Sequence, residues 1–155
     1  AELSFPETLY YDLYFMSGDT VCLAGEEGLL FASSAGELCG EFSVGDSYLV
    51  DYSFGSRNYV VAFVSSYRSG AGGTLVTLDQ RGQELGRREL DRDIISLSAG
   101  SKHLLVMTGG GLYLYGQDLM QQSAKETLIT AKKAILRPDG DVLLLSAYSA
   151  ERIKI

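Results

Sequence analysis

The 155-residue chain has the composition of a globular protein, with 46% hydrophobic and 21% charged residues and a net charge of −7 at pH 7. That acidic balance argues against nucleic acid and anionic membrane surfaces as partners, because both require concentrated positive charge. No apolar run approaches the roughly 20 residues that span a bilayer, and one His and two Cys leave little material for a metal or thiol site.

Short apolar segments separated by Gly, Ser, Asn and Asp dominate the chain, which is typical of strands joined by tight turns. The only helical turn that the sequence indicates is weak and lies at Met120 to Thr127. In chain order, the pattern predicts a lone outer strand in residues 1–7, followed by four strand-rich units at residues 8–44, 47–90, 94–127 and 131–155.

The units repeat one order of strands. Each has an opening strand, a tight turn, the most apolar strand, a Gly-containing strand and, except in the last unit, a more polar closing strand. Displacing the sequence by 83 residues aligns Val21 with Leu104 and Gly28 with Gly111. The opening strands are predicted at Tyr11 to Phe15, Tyr48 to Phe54, Ile94 to Ser98 and Lys133 to Leu136.

Four antiparallel strands in roughly 40 residues, with a polar outer strand, are typical of a propeller blade. We therefore predict an all-β fold, a β-propeller of about four blades with four-stranded antiparallel blades, which is part of a ring or a small ring. Neighbouring blades would bury each other's faces, which one small sheet cannot do alone. A β-sandwich with coincidental spacing is the alternative.

The last unit is predicted to be incomplete, because residues 131–155 provide about three strands. Glu2 to Phe5, ahead of Pro6, is predicted as an outer strand without a blade. An unpaired strand edge attracts further strands, and three completions are open. They are a four-bladed ring in one chain, a homodimeric ring of about eight blades, and a ring completed by the N-terminal half of a longer parent protein.

The two cysteines are not expected to form a disulfide. Cys22 is predicted on the second strand of the first unit and Cys39 on its fourth strand, so a whole strand separates them by about 10 Å. A disulfide requires Cα atoms within about 7 Å of each other. Both are interpreted as small, buried hydrophobic residues.

Tyr67 and Arg68 are the predicted binding residues. They begin a Gly-rich insertion at residues 66–73, and loops on a rigid scaffold often carry function. Ten tyrosines in a chain of this length also favour a binding surface, because tyrosine offers an apolar ring and a polar tip.

Polar residues on the opening strands suggest a lining at the ring axis. Asp12 and Asp51 occupy comparable places 39 residues apart, and Lys133 lies on the last opening strand. His103 is predicted to be a rim residue, since no pattern places a nucleophile and an orienting acid beside it. No catalytic residue, metal ligand or cofactor is predicted.

The order of several short motifs carries a family resemblance. From residue 48 to residue 155 the chain is similar to the C-terminal half of an uncharacterised bacterial propeller family, a domain of unknown function resembling quinoprotein-like and WD-like propellers. The resemblance implies an extracytoplasmic part of a longer protein of Gram-positive anaerobes, tethered to the membrane by a missing N-terminal segment, and it transfers no functional residues. The motifs lie at residues 48–53, 74–79, 82–86, 95–100, 111–115, 136–140 and 149–152.

The expected function is a non-catalytic, extracytoplasmic propeller scaffold for protein–protein interaction, without a cofactor. A small-ligand or glycan-binding module that uses the tyrosines is one alternative, and a hydrolase or lyase with an axial site is another. Quinone chemistry is disfavoured, because propeller repeats that dock through tryptophan cannot form in a chain without Trp.

Overall fold

The computed structural model describes residues 4–66, 72–126 and 130–155. Within these residues all regular secondary structure is β-strand, arranged in four antiparallel sheets, as the sequence predicts. The described part of the chain contains no helix long and apolar enough to cross a membrane.

We call the four sheets blades 1 to 4 in chain order. Strands pair in the order in which they occur along the chain, so each blade is an antiparallel meander. The strands are β1 (Tyr10–Met16), β2 (Thr20–Gly25), β3 (Gly28–Ser33) and β4 (Leu38–Ser43) in blade 1; β5 (Ser47–Gly55), β6 (Tyr59–Ser66), β7 (Gly73–Asp79) and β8 (Glu84–Leu90) in blade 2; β9 (Ser96–Ala99), β10 (His103–Thr108), β11 (Gly111–Gly116) and β12 (Gln121–Glu126) in blade 3; and β13 (Lys133–Leu136), β14 (Val142–Leu145) and β15 (Ala150–Ile153) in blade 4.

The apolar strands bury both of their faces. Alternate residues of a strand point to opposite faces of the sheet, and β6 is apolar over most of its length. Val60 and Ala62 therefore pack against blade 1, whereas Tyr59, Val61 and Phe63 pack against blade 3. A strand of this kind is stable only when its blade has a neighbour on each side.

Consecutive blades along the chain pack against each other. One apolar core joins blades 1 and 2, a second joins blades 2 and 3, and a third joins blades 3 and 4 around Met107, Leu112 and Val142. Among the described residues there is no fourth core between blade 4 and blade 1. These cores thus include one face of blade 1 and one face of blade 4 only, although Val21, Leu23, Leu30 and Ala32 on the other face of blade 1 are also buried.

The helical turn predicted at Met120 to Thr127 is wrong. Gln121–Glu126 instead forms β12, which pairs with β11 as the outer strand of blade 3. Thr127 lies outside the described residues. The open edge of β11 offers hydrogen-bond partners along its length, and this pairing outweighs a weak intrinsic preference for helix.

The segment ahead of blade 1 differs from its prediction. Ser4 and Phe5 lie in no strand, so the lone outer strand is not found there, and residues 1–3 lie outside the described part of the chain. Pro6 has no N–H group to donate to a strand ladder. The Phe5 ring packs edge-on against Tyr10, with ring centroids 6.4 Å apart.

Both cysteines are free, as predicted. Cys22 is buried in β2, and burial raises the pKa of its thiol to about 12, so the thiol stays protonated at neutral pH. Cys39 is exposed, and its interpretation as a buried residue is wrong. The physical reason is its place on β4, the outer strand of blade 1, where the sheet edge faces solvent.

Two glycines allow each outer strand to run close to the next blade. A Cβ atom on Gly40 of β4 would lie 2.0 Å from the carbonyl oxygen of Arg81, in the β7–β8 turn of blade 2. A Cβ atom on Gly86 of β8 would lie 2.7 Å from the backbone of Asp118, in the β11–β12 turn of blade 3. Backbone atoms cannot swing aside, so both positions require glycine.

Replacing Gly40 with alanine is expected to lower the free energy of unfolding by about 1–3 kcal/mol, the usual cost of overpacking. Gly109→Ala is the matched control, because a Cβ atom there would meet no atom within 4 Å. The control is expected to stay within about 0.5 kcal/mol of wild type. Urea unfolding measures both variants, and equal stabilities would contradict the close approach of blades 1 and 2.

Candidate binding clefts

The first cleft lies at the outer side of the junction between blades 2 and 3. We call it the arginine–tyrosine cleft; it has a volume of about 340 Å³. Blade 2 contributes the end of β8 and the residues after it, and blade 3 contributes β10, β11 and β12. The cleft is lined by Arg88, Glu89, Leu90, Asp91, Arg92, Val106, Thr108, Tyr113, Tyr115 and Gln121.

Strand periodicity brings the arginines and tyrosines together. Tyr113 and Tyr115 are two residues apart on β11, so both point to the face that packs against blade 2. Arg88 lies on β8 opposite Leu75, a residue of the same interblade core. Arg88 therefore points towards blade 3, across the junction from the two rings.

Each arginine lies over one tyrosine ring. The Arg88 guanidinium carbon is 5.2 Å from the centroid of Tyr115, and that of Arg92 is 5.8 Å from the centroid of Tyr113. Arg92 Nη1 also donates a hydrogen bond of 3.1 Å to the Tyr113 hydroxyl, and Arg88 Nη1 donates one of 3.3 Å to the carbonyl oxygen of Leu119. These contacts hold both guanidiniums in place by cation–π attraction and hydrogen bonding.

The two arginines and two acidic residues of the arginine–tyrosine cleft are paired unevenly. Arg92 Nε donates a hydrogen bond of 3.0 Å to Asp91. Glu89 points to the other face of β8 from Arg88, where it accepts a hydrogen bond of 2.7 Å from Thr74. Arg88 forms no ion pair with any carboxylate in the described part of the chain. Arg88 is therefore the arginine of this cleft that lacks a direct acidic partner.

The second cleft lies along the opening strands of blades 2, 3 and 4. We call it the inner-strand cleft, and its volume is about 460 Å³. Its polar lining comes from β5, β9 and β13 and includes Asp51, Ser53, Ser96, Ser98 and Lys133. Asp51 and Lys133, which the sequence analysis placed at the ring axis, both line it.

Hydrogen bonds from backbone to side chain tie the opening strands together in this cleft. Ser53 Oγ accepts a hydrogen bond of 2.9 Å from the N–H of Ala99, and Ser98 Oγ accepts one of 3.0 Å from the N–H of Leu136. Ser96 Oγ accepts one of 3.2 Å from the N–H of Ala134. The polar residues of each opening strand thus satisfy backbone donors of the next blade.

Asp51 belongs to the same ladder. Burial raises the pKa of its carboxyl group, although hydrogen bonds from the N–H groups of Tyr52 and Leu97 and the charge of Lys133 act in the opposite direction. Asp12 differs, because its carboxylate accepts a hydrogen bond of 3.0 Å from the Tyr52 hydroxyl. The two aspartates therefore belong to different blade junctions.

The other residues named by the sequence analysis give no second site. Tyr67 and Arg68 lie outside the described residues, so their role stays a prediction. His103 begins β10 and is exposed, as expected for a residue at the rim. The described residues contain no group of three or more His, Cys, Asp or Glu that could hold a metal.

The arginine–tyrosine cleft was missed by sequence reasoning. The alternation Tyr113-x-Tyr115 was readable as two side chains on one face of a strand. Arg88 lies far away in sequence, and only the packing of blade 2 against blade 3 brings it to those rings. A contact between residues so far apart in sequence can be recognised only once the packing of the two blades is known.

Comparison with known proteins gives structural likeness only. No protein-family model matches the chain, and no curated protein matches its sequence significantly. A protein of unknown function from Bacteroides caccae is 9% identical with a TM-score of 0.54, over 97% of this chain and 62% of that chain.

Two further similar structures are those of named proteins. The calcium-binding protein regucalcin from Agrobacterium tumefaciens is 13% identical with a TM-score of 0.61, over 96% of this chain and 57% of that one. BBS1N, solved in complex with ARL6DN, is 14% identical with a TM-score of 0.66, over 98% of this chain and 54% of that one. These likenesses show a propeller-like all-β fold, and this chain spans little more than half the length of the three structures.

The raised pKa of Asp51 predicts a pH effect. The folded protein holds the Asp51 proton more tightly than the unfolded chain, so this contribution to stability is present at low pH. It should be lost as pH rises from the ordinary value of 3.8 through the folded-state value. Urea unfolding across this range is expected to show that component in wild type and not in Asp51→Asn. Parallel pH profiles for the two proteins would contradict the assignment.

Proposed function

We propose that this protein is a non-catalytic propeller scaffold for protein–protein interaction. The observation that carries the proposal is that blade 1 and blade 4 each have one face outside the three interblade cores, with exposed apolar side chains on it. Apolar surface at the end of a stack of blades favours binding to another protein, because burial removes that surface from water.

Both end faces expose apolar side chains. On blade 1, Leu13 and Phe15 alternate with residues that pack against blade 2, and their exposed fractions are 50% and 56%. On blade 4, Ile135 and Leu145 are 45% and 48% exposed and lie on the strand face opposite the core with blade 3, and Ile135 also lines the inner-strand cleft. We call these two surfaces the blade 1 end face and the blade 4 end face.

The two end blades differ in charge. Residues 8–44 contain six acidic residues and no Lys or Arg, whereas residues 131–155 contain five basic and three acidic residues. Glu41 is exposed on the blade 1 end face. Lys133 is exposed on the strand face of blade 4 opposite its core and also lines the inner-strand cleft. Opposite charges favour contact between the blade 1 end face of one molecule and the blade 4 end face of another.

A second copy of the chain provides both complementary faces at once. Two copies related by a twofold axis would make the same head-to-tail contact twice and close a ring of about eight blades. A closed ring has no free end from which a filament could grow. Alternatively, the N-terminal half of a longer parent protein would supply the remaining blades, so that a single chain completes the ring. The charge difference within this chain favours the second copy.

The contacts in the two clefts argue against the two alternative functions, a glycan-binding module and a hydrolase or lyase. A sugar ring stacks on an open aromatic face, but the rings of Tyr113 and Tyr115 lie under arginine guanidiniums. The three serines of the inner-strand cleft hydrogen bond to backbone groups of the next blade, which supports a structural use over a nucleophilic one. These contacts support the scaffold over a glycan-binding module and over a hydrolase or lyase.

Light scattering tests the proposed partner. The wild-type chain is expected to have a solution mass twice the 16.8 kDa of one chain. Leu13→Glu is expected to weaken association by about tenfold or more, because it places a charge in an apolar contact. Added salt is expected to weaken association as well, since it screens the attraction between the end faces.

Leu85→Glu is the control for the end-face variant. Leu85 is 42% exposed on the outer strand of blade 2, away from both end faces. Its solution mass should equal that of wild type. A wild-type chain that stays monomeric at high concentration, or two variants that lose mass equally, would contradict the head-to-tail pair.

We extend the proposal to an extracytoplasmic location, with a membrane tether on a preceding segment of a longer protein. The family resemblance of residues 48–155 supports it. A fusion of the full-length parent to a reporter enzyme that is active only outside the cytoplasm is expected to be active. Activity of only a cytoplasmic reporter at the same fusion point would contradict this location.

A further inference from the structure

We propose that the arginine–tyrosine cleft binds the carboxylate side chains of an acidic, extended peptide segment of a protein partner. The inference rests on the proposed scaffold function and adds a site that is separate from the end faces. It follows from the state of Arg88, the charge of the cleft and the strands that border it.

Arg88 is held ready for an anion. An arginine side chain has five N–H donors in a planar fork that matches a carboxylate. Within the described residues Arg88 donates to the carbonyl oxygen of Leu119 and lies over Tyr115, and it has no carboxylate partner. The fixed position reduces the entropy lost when a ligand binds.

The charge of the cleft fits a carboxylate better than a phosphate. The formal charges of the lining sum to zero, since Arg88 and Arg92 are matched by Glu89 and Asp91. Asp91 pairs with Arg92 and Glu89 with Thr74, which leaves Arg88 as the arginine without an ion pair in the described residues. A carboxylate carries one negative charge, whereas a phosphorylated side chain carries about 1.5 to 2 at neutral pH. A single arginine without an ion pair therefore favours the monoanion.

The borders of the cleft favour an extended peptide over a small acid. The strands β8 and β12 lie at the outer edges of blades 2 and 3, and each pairs with a strand on one side only in the described sheets. An edge strand offers backbone N–H and C=O groups to an extended segment. Leu90 and Val106 provide apolar lining for a hydrophobic residue beside the acidic one.

Selection from short random peptides displayed on phage tests this site without a known partner. Wild-type protein is the bait, and Arg88→Gln is used for counter-selection. The enriched sequences are expected to share Asp or Glu beside an apolar residue. In fluorescence anisotropy, Arg88→Gln should weaken binding of the enriched peptides by about tenfold or more, the value of a charge-assisted hydrogen bond. Changing the peptide's Glu to Gln should have a similar effect.

Arg87→Gln is the matched control. Arg87 is the preceding residue of β8, points to the opposite face and pairs with Glu84 at 2.8 Å. It should leave peptide binding unchanged, and thermal unfolding of both variants confirms that each is folded. Arg88→Lys keeps the positive charge but loses the planar, forked guanidinium. Its affinity for the peptides is therefore expected to lie between those of wild type and Arg88→Gln.

Several outcomes would overturn the inference. They are the absence of enriched peptides, enrichment without acidic residues, equal binding by wild type and Arg88→Gln, and equal losses in the Arg87 and Arg88 variants. Tighter binding after phosphoserine replaces the peptide's Glu would reassign the cleft to phosphopeptides. Arg88→Gln is expected to keep the solution mass of wild type, and Leu13→Glu is expected to keep peptide binding. These two measurements distinguish a failure of this site from a failure of the end faces.

Discussion

Mutual burial of blade faces is the constraint on which the rest of this structure depends. The central strands of each blade are apolar on both sides, so a blade isolated in water would expose one or both faces. Val60 of β6 belongs to the core with blade 1, whereas its neighbour Val61 belongs to the core with blade 3. A sheet of this kind gains hydrophobic stability only as a member of a stack. The same constraint explains Gly40 and Gly86, which let neighbouring blades come close enough to exclude water.

Polar chemistry is confined to the margins of the blade junctions. At the inner margin, serines and Asp51 satisfy backbone N–H groups of the next blade, and the polar groups are largely used by the fold itself. At the outer margin, Arg88 is positioned by Tyr115 and by a carbonyl oxygen but has no acidic partner in the described chain. A charged group that is positioned but has no ion pair is the better candidate for an external ligand. This difference separates a structural ladder from a binding cleft.

The same requirement for burial of blade faces applies to the two end blades. Leu13 and Phe15 occupy the strand positions that would face a preceding blade, and Ile135 and Leu145 those that would face a following one. None of the three interblade cores includes these side chains. In the proposed head-to-tail pair, the acidic character of blade 1 and the basic character of blade 4 would add direction to the apolar contact. The scaffold proposal and the cleft proposal therefore concern different surfaces of one molecule.

The amino-acid sequence by itself determined the strands and their order, because alternation, glycine turns and the repeat act over short distances along the chain. It predicted Lys133–Leu136 and Val142–Leu145 with the bounds seen in the structure. It failed at Gln121–Glu126, where pairing with β11 outweighs local preference, and at Cys39, whose exposure depends on its place at a sheet edge. Only the tertiary structure decided that Arg88 meets Tyr115 and that Asp51 meets the backbone of the next blade. Those contacts join residues that are distant in the chain, and their geometry exists only once the blades have packed.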